Sequence, residues 1–364
     1  MIPNLKFFIS IFFISILILS SCSDSTPPPT VLIKHDTTSY ILDVQGLPVP
    51  PIPNDNKLTV QTVKLGRMLF YDKQLSKDGS QSCASCHQQK DGFSDIRKFS
   101  IGVENLPGKR QAMALFNLAW HKNGFFWDGR APSLRDQSLR PIQDPLEMNE
   151  TLENVVKKVS ASSTYKDQFI RAFGSDSVST YRISLAMEQF MITLVSVNSK
   201  FDKFQRGLAT LTAEEENGRK IFFTEFDPSG KVKGGECFHC HGGFNFTNDK
   251  YINNGLDSES NFTDMGRFTV TNNPRDRATF KVPSLRNIAV TAPYMHDGRI
   301  ATLEEVVQHY NMGVKNSVSV DPLLQYNLQP GGLKLSPKDQ ADLVAFLKTL
   351  TDDTYLNNSA YSAP

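Results

Sequence analysis

Cys83-Ala84-Ser85-Cys86-His87 is the stretch that decides how the rest of the chain is organised. Two cysteines separated by two residues, with a histidine directly after the second, form the attachment pattern of a c-type haem. The thiols bond covalently to the porphyrin vinyl groups and the histidine ligates the iron. Both sulfurs must reach neighbouring vinyl groups from one helical turn, and the next residue must then place its imidazole under the metal. The stretch therefore predicts one covalently bound haem, with His87 as its proximal ligand.

The same pattern recurs at Cys237-Phe238-His239-Cys240-His241 and predicts a second haem, with His241 as its proximal ligand. A disulfide, a zinc site or a redox-active dithiol also uses two cysteines at this spacing. A single copy would leave these alternatives open. Two copies, each followed at once by histidine, favour haem.

The chain begins with the sequence of an export signal. Residues Phe7 to Leu19 form an almost unbroken apolar run behind Lys6, and a membrane span needs about 20 apolar residues. Small residues then lead into Cys22, as in a bacterial lipoprotein signal. We expect residues 1–22 to be a lipoprotein-type signal peptide and Cys22 to carry the lipid. The alternative is a free thiol inside an ordinary signal peptide.

The charge balance argues against a nucleic-acid partner, and the chemistry of haem attachment indicates an exported protein. Residues 23–55 are rich in Pro, Ser and Thr and predict an extended tether. The 364 residues include 39 basic and 38 acidic ones, a net charge of +1, which indicates no attraction to nucleic acid. Because c-type haem is attached outside the cytoplasm, we expect an exported, periplasmic protein held at a membrane by its lipid.

The two halves of the chain carry the same motifs in the same order, which indicates an internal duplication. We therefore predict a mainly α protein of two cytochrome c-like domains, each with one covalent haem, at residues 56–205 and 206–355, followed by a tail at 356–364. The paired motifs are Gly66 to Phe70 and Gly218 to Phe222, Leu115-Phe116-Asn117 and Leu285-Arg286-Asn287, and Trp127-Asp128-Gly129-Arg130 and His296-Asp297-Gly298-Arg299.

Several helix starts and one hairpin are also predicted. Three pairs of residues resemble capping boxes, in which a hydroxyl and an acidic side chain satisfy each other's backbone N–H groups. Residues 268–270 and 280–282 predict a short β-hairpin. The three capping pairs are Thr212 with Glu215, Thr302 with Glu305, and Ser336 with Asp339.

Tyr310 is the candidate distal ligand of the second haem. It follows Leu303 and Val307 at the spacing of one buried helical face, and a phenolate can ligate haem iron. The alternatives are a core tyrosine with a satisfied hydroxyl, or ligation by the thioether of Met312. The same count from Leu134 in the first half reaches Pro141, which cannot bind iron. The first haem is therefore expected to have an open side where a small molecule can bind.

Beyond the tether, residues 56 to 352 resemble the bacterial di-haem cytochrome c peroxidases and the related MauG-like enzymes. The resemblance implies that the first haem is the peroxide site and that the second relays electrons. The motifs that carry it are Leu65-Gly66-Arg67-Met68-Leu69-Phe70, the two haem sites, Phe126-Trp127-Asp128-Gly129-Arg130, Pro145-Leu146-Glu147-Met148 and Tyr294-Met295-His296-Asp297-Gly298.

The resemblance also implies roles for three residues of the first half. Trp127 matches the tryptophan that lies between the two haems, and Gln137 and Glu147 match the distal glutamine and glutamate of the peroxide pocket. Peroxide must lose a proton at its near oxygen and gain one at its far oxygen, and a carboxylate can move that proton. Taken alone, Glu147 would be a solvated surface carboxylate and Trp127 a core aromatic.

Two positions depart from the peroxidase pattern. Many members carry a blocking histidine after an Ile-Gly pair, where this chain has Val103. We therefore expect a first haem that needs no reductive activation, with His121 as an alternative blocking ligand. Tyr310 stands where peroxidases place the methionine ligand of the second haem, as in the MauG-like enzymes. An anionic phenolate stabilises ferric iron, which predicts a low potential.

The resemblance further implies a calcium ion between the domains. By position, Gln111 and the backbone carbonyls of Thr291 and Pro293 match its ligands, and hard oxygen donors suit calcium. Gln111 stands where asparagine is usual in the family.

We therefore predict an enzyme that reduces hydrogen peroxide to water with electrons from a small cytochrome or similar donor, through the second haem. A second hypothesis is a MauG-like oxidase of a protein or small molecule. A third is a di-haem electron carrier, which requires both irons to be six-coordinate. Family members are often homodimers, although no stretch of this chain argues for that state by itself.

Overall fold

The computed structural model describes residue 1 and residues 32–364. Apart from Met1, the predicted signal peptide lies outside the described residues, as does the predicted lipidation site Cys22, and both stay predictions. Residues Lys34–Pro364 form one compact unit. The predicted domain boundaries within this unit stay a prediction.

The described residues are mainly α-helical, as predicted, with one two-stranded antiparallel sheet. The helices of the first half are α1 (Val60–Tyr71), α2 (Cys83–Cys86), α3 (Leu134–Gln143), α4 (Leu152–Ala161), α5 (Ser163–Phe173), α6 (Thr180–Thr193) and α7 (Lys200–Gln205). Those of the second half are α8 (Ala213–Phe222), α9 (Phe238–His241), α10 (Phe268–Thr271), α11 (Leu303–Gln308), α12 (Pro322–Leu328), α13 (Pro337–Lys348) and α14 (Asp353–Leu356). The strands are β1 (Tyr251–Ile252) and β2 (Phe280–Lys281).

Each half contains a pair of closely packed helices whose contact requires glycine. A Cβ atom at Gly66 on α1 would collide with the carbonyl oxygen of Ala186 on α6. In the second half, a Cβ atom at Gly218 on α8 would collide with the carbonyl oxygen of Asp342 on α13. Glycine lets the two backbones approach each other because it has no Cβ atom.

Three helices of the second half begin at the residues that the sequence predicts, and each has side-chain hydrogen bonds at its N-terminus. All three predicted capping boxes are confirmed, at the N-termini of α8, α11 and α13. Each box satisfies backbone N–H groups that have no partner inside the helix. The helix starts were therefore readable from local sequence.

The buried apolar residues form two large clusters, one in each half. The first extends from Leu58 to Leu194, and the second from Phe201 to Leu350. Tyr355 and Tyr361 belong to the first cluster although they follow the second half in the chain. The C-terminal segment therefore returns to the first half and packs there.

The predicted hairpin between residues 268–270 and 280–282 is wrong. Residues Phe268–Thr271 form α10, which ends where Asn272 takes a left-handed conformation with φ of 56° and donates its N–H to the Phe268 carbonyl. Strand β2 pairs instead with β1, with Tyr251 opposite Lys281. Two triplets with apolar residues at their first and third positions were too short to distinguish a helical turn from a strand.

Residues 34–55 of the predicted tether lie against the first half. The backbone N–H of Asp36 donates to the Arg171 carbonyl at 2.9 Å, and that of Tyr40 donates to the Leu58 carbonyl at 3.1 Å. The indole N–H of Trp120 donates to the Pro48 carbonyl at 2.8 Å. This part of the segment thus makes specific contacts with the helical body.

Among the described residues, no helix combines the length and apolar character needed to cross a membrane.

Trp127 and His296 occupy corresponding loops with the same backbone shape. In each loop the residue before them has a positive φ, a glycine two residues after them has a positive φ, and an antiparallel bridge closes the loop. The φ values are 67° at Phe126 and 72° at Met295, 73° at Gly129 and 62° at Gly298, and the bridges are Phe125 with Ala131 and Tyr294 with Ile300.

Candidate haem centres

The first cysteine motif forms a single helical turn, α2. Ser82 and Ser85 cap this turn, and the backbone N–H of His87 donates to the Cys83 carbonyl at 2.9 Å. Both cysteines are free thiols. Burial raises the pKa of the Cys83 thiol to about 12, with a further contribution from Cys86. The turn therefore presents two thiols and the following imidazole from one short segment.

The imidazole of His87 is oriented for metal binding. Its Nδ1 donates to the Phe93 carbonyl at 2.8 Å, which leaves Nε2 as the atom that can ligate iron. Burial lowers the pKa of His87, so the neutral, ligating form is favoured. The carbonyl acceptor is placed by a positive φ of 57° at Phe93.

The second motif has the same arrangement. Cys237 precedes the one-turn helix α9, and Cys240 and His241 lie in it. The Nδ1 of His241 donates to the Phe246 carbonyl at 3.2 Å, and burial lowers the pKa of His241 to about 4. Free thiols beside a neutral, anchored imidazole are the donor set that covalent c-type haem requires. The residues of both motifs fit that group.

Tyr310 lies close to the second motif. It sits in a π-helical turn, His309–Gly313, that directly continues α11. Burial raises the pKa of Tyr310 to about 12, and the Cys240 and Cys237 thiols contribute to the rise. Tyr310 packs on the second apolar cluster, whereas Met312 is 65% exposed. A cavity of about 130 Å³ borders both side chains.

An amide that the sequence analysis did not identify contacts Tyr310. The Nδ2 of Asn254 lies 3.5 Å from the Tyr310 hydroxyl and 3.2 Å from the sulfur of Met295. The Nε2 of His309 donates to the backbone carbonyl of Asn254 at 3.1 Å. No local pattern could have found this contact, because Asn254 and Tyr310 are far apart in the chain.

Glu147 lies in the loop after α3, near the first motif. Burial raises the pKa of Glu147 to about 7, and the nearby Asp144 adds to the rise while Arg130 opposes it. Glu147 in turn contributes to the raised pKa values of Cys83 and Cys86. A carboxyl with this pKa can both accept and donate a proton near neutral pH.

The loop that contains Val103 packs directly on Glu147. The backbone N–H of Val103 donates to the Glu147 carbonyl at 2.8 Å. A Cβ atom at Gly102 would collide with the Leu146 carbonyl, so glycine is required there. Val103 carries no group that can ligate iron, and its loop is held against the backbone of Leu146 and Glu147.

Gln137 lies in α3, which also contains Pro141 near its end. The Gln137 side chain is half-buried and makes no hydrogen bond within the described residues. Its amide is therefore available to another partner. Pro141 has no side-chain donor, and its carbonyl accepts from the backbone N–H of Met148 at 3.2 Å.

Trp127 joins the two halves. Its indole N–H donates to the Gln111 carbonyl at 2.8 Å, and its own carbonyl accepts from the Lys281 N–H at 2.7 Å. The ring is buried against Ala278 and Phe280 from the second half. Trp127 thus contacts segments from both sides of the molecule.

His121 is paired with a carboxylate of the second half. Its Nδ1 lies 2.8 Å from Oδ1 of Asp249, which also pairs with the buried Lys281. Burial alone would raise the pKa of Asp249, but the hydrogen bonds from His121 and Lys281 hold it well below its usual range. This three-residue hydrogen-bonded cluster was not predicted from the sequence. It gives His121 a structural partner.

The predicted calcium ligands lie in two segments that are remote in sequence, and the backbone N–H of Gln111 donates to the His296 carbonyl of the second segment at 2.8 Å. The Nε2 of Gln111 donates to Ser94 and to the Asp95 carbonyl. Its amide oxygen is therefore the atom that could ligate calcium. Within the described residues, the carbonyl oxygens of Thr291 and Pro293 accept no hydrogen bond. Calcium binding stays a prediction.

Known proteins resemble this chain over most of its length. A family model described as di-haem cytochrome c peroxidase matches residues 60–210. The methylamine utilization protein MauG of Methylorubrum extorquens is 36% identical over 302 residues, which cover 82% of this chain and 81% of that protein. Cytochrome c551 peroxidase of Nitrosomonas europaea is 38% identical over 309 residues, which cover 84% of each chain.

A solved structure gives the same result. The crystal structure of a MauG-like protein associated with microbial copper homeostasis superimposes with a TM-score of 0.79 at 33% identity. The match covers 88% of this chain and 97% of that one. Identity and coverage at this level establish the family, and this chain belongs to the di-haem cytochrome c peroxidase and MauG family.

Proposed function

We propose that this protein is a periplasmic di-haem peroxidase that reduces hydrogen peroxide to water. The observation that carries the proposal is the placement of Glu147, a carboxyl with a pKa near 7 beside the first cysteine motif. The overall reaction balances as one peroxide, two electrons and two protons giving two waters. The electrons come from a small redox protein such as a cytochrome c and enter through the second haem.

The haems would be held by the two cysteine pairs, with proximal ligation from the imidazoles of His87 and His241. When bound, the first haem would supply the iron centre at which peroxide binds and through which peroxide receives its two electrons. Every other function in the reaction falls to side chains. The hydrogen bonds from His87 and His241 to backbone carbonyls fix the ring orientations before any haem ligation occurs.

Glu147 acts as the acid and base. Its carboxylate takes the proton from the near oxygen of peroxide and returns it to the far oxygen, which then leaves as water. General acid–base catalysis of this kind contributes about 10²–10⁴-fold to a rate. Gln137, whose amide has no partner within the described residues, orients the peroxide by hydrogen bonding.

Trp127 is the relay between the halves. It is buried, its indole N–H is anchored on Gln111, and its ring contacts Phe280 of the second half. A fixed aromatic side chain between two redox centres suits electron transfer.

A MauG-like oxidase is the second candidate, and Tyr310 favours it. The hydroxyl lies near the thiols of the second motif, and Met312 points largely to solvent. A phenolate ligand lowers the potential of the second haem and disfavours storage of an electron there. Such a protein would oxidise a protein or small-molecule substrate. A plain electron carrier is the third candidate.

The remaining proposals concern the setting of the enzyme. The matched loops around Trp127 and His296 support an origin by internal duplication. We propose a lipid anchor at Cys22, and a calcium ion at Gln111, Thr291 and Pro293. A homodimer is proposed from the family resemblance alone.

One experiment separates the candidates. The fully ferric protein is mixed with hydrogen peroxide and reduced cytochrome c, with no reductive pretreatment, and donor oxidation is followed. Fast catalytic oxidation supports a constitutively open peroxidase. Negligible turnover with a long-lived oxidised spectrum favours the MauG-like oxidase. Failure of the ferric first haem to bind any small ligand would favour the electron carrier.

A further inference from the structure

Asn254 contacts two potential iron ligands with one amide group. An amide nitrogen has two N–H donors. In Asn254 this nitrogen lies 3.2 Å from the Met295 sulfur and 3.5 Å from the Tyr310 hydroxyl. One donor can therefore engage the thioether while the other engages the phenol.

The segment that carries this amide is fixed on both sides. The His309 ring donates to the Asn254 carbonyl at 3.1 Å. The next residue, Gly255, donates its N–H to the side chain of Asn253 at 2.9 Å and accepts from the Lys315 N–H at 2.7 Å. The backbone that carries the amide is therefore held by contacts other than those of the Asn254 side chain.

We propose that Asn254 is the positioning residue that selects Tyr310 over Met295 as the distal ligand of the second haem. The inference rests on the proposed ligation by Tyr310. A hydrogen bond to the phenolate oxygen compensates part of its charge and fixes its direction, while the bond to sulfur occupies the thioether lone pair. Residues that contact ligands in this way orient them and tune the metal.

The proposal explains why two methionines near the site would not compete with Tyr310. Met312 is 65% exposed, so most of its side chain lies in solvent. Met295 is half-buried, but its sulfur is engaged by Asn254. Without the amide, the thioether would be free to bind and the phenol would lose its only side-chain hydrogen bond within the described residues.

The test compares variants of the haem-loaded protein by optical and resonance Raman spectroscopy and by the midpoint potential of the second haem. Asn254→Ala removes the amide, and Asn254→Asp replaces the donor by an acceptor. Both are expected to weaken the phenolate signature and to raise the potential. Adding Met295→Leu to Asn254→Ala is expected to lower the potential again, because it removes the competing thioether.

Asn261→Ala is the matched control. Asn261 is an exposed asparagine of the second half, and its side chain makes no hydrogen bond within the described residues. It should leave the phenolate signature unchanged. A wild-type phenolate C–O stretch that shifts in deuterium oxide provides a measurement that needs no Asn254 variant.

The outcomes separate this inference from the proposed ligation of the second haem by Tyr310. If Tyr310→Phe leaves the spectrum unchanged, Tyr310 is not the ligand and both proposals fail. If Tyr310→Phe abolishes the phenolate signature but both Asn254 variants keep the wild-type spectrum and potential, only the selection by Asn254 fails. Absence of a deuterium shift would likewise overturn the hydrogen bond to the phenolate.

Discussion

Asn117 and Asn287 hold the chain in the same way after a long helix in each half. Each has a left-handed backbone with φ of 55°. The backbone N–H of each asparagine donates to a carbonyl near the end of the helix. The side-chain oxygen of each accepts from the backbone N–H of the residue two positions after that carbonyl. The carbonyls belong to Leu194 (2.8 Å) and Leu350 (2.9 Å), and the N–H groups to Ser196 and Asp352 (both 2.8 Å).

We predict that Asn117→Ala and Asn287→Ala each lower the free energy of unfolding by about 1–3 kcal/mol, because each leaves a buried N–H unpaired. Denaturant unfolding measures the change. Asn105→Ala is the control, since Asn105 has a similar positive φ of 59° and is exposed. An equal loss at Asn105 would show that the left-handed conformation, and not the hydrogen bonds, accounts for the effect.

Glu147→Gln should lower peroxide turnover by about 10²–10⁴-fold, because glutamine cannot move a proton. Steady-state oxidation of reduced cytochrome c by peroxide measures the loss. The matched control is Glu153→Gln, the same change at an exposed position of α4. Full turnover by Glu147→Gln would contradict the acid–base role.

The pH profile should follow the raised pKa of Glu147. The proton of peroxide is taken by the carboxylate, so turnover should rise as pH increases towards about 7 and level off above it. The profile of Glu147→Gln should lack this rise. A wild-type profile that is flat between pH 5 and pH 8 would rule out titration of Glu147 in the rate-determining step.

The free energy of unfolding should also depend on Glu147, but it should fall as pH rises. Because burial raises the pKa of Glu147 from 4.5 to about 7, the folded state binds this proton more tightly than the unfolded state. The stability that this proton provides is complete below pH 4.5 and is lost as pH rises to 7. The melting temperature of Glu147→Gln relative to that of the wild type should therefore increase as pH rises through this range.

Val103→His should make the first haem depend on reductive activation. The substitution restores the blocking histidine of many family members, in a loop that is hydrogen-bonded to Glu147. We expect ferric Val103→His to react slowly with peroxide and to recover after reduction of the second haem. Val103→Thr, of similar shape but unable to block, is the control. Fast reaction of ferric Val103→His would show that this loop does not reach the iron.

Gly66→Ala and Gly218→Ala should each destabilise the protein by about 1–3 kcal/mol or more, because the added methyl group forces two helices apart. Each Cβ atom would meet a backbone carbonyl, which cannot move aside as a side chain can. Thermal unfolding measures the change. Gly108→Ala is the control, since its Cβ atom would have ordinary contacts.

Local sequence determined much of this protein. The spacing of the two cysteine motifs predicted one helical turn at each motif, with a histidine directly after the second cysteine. Helix α2 is followed at once by His87, and α9 ends at His241. The capping boxes were equally readable, because their partners lie within one helical turn. The motif order was enough to identify the family. Short, partly apolar triplets were not enough, as the mistaken hairpin at Phe268 and Phe280 shows.

Only the tertiary structure decided the environment of the chemically important groups. The pKa of Glu147 depends on its burial, and the partner of His121 is Asp249 from the other half. Asn254 reaches Tyr310 through a fold that joins remote segments. Spacing along a chain specifies which groups share a helical turn, whereas burial and electrostatic contact depend on distances between segments that only packing brings together.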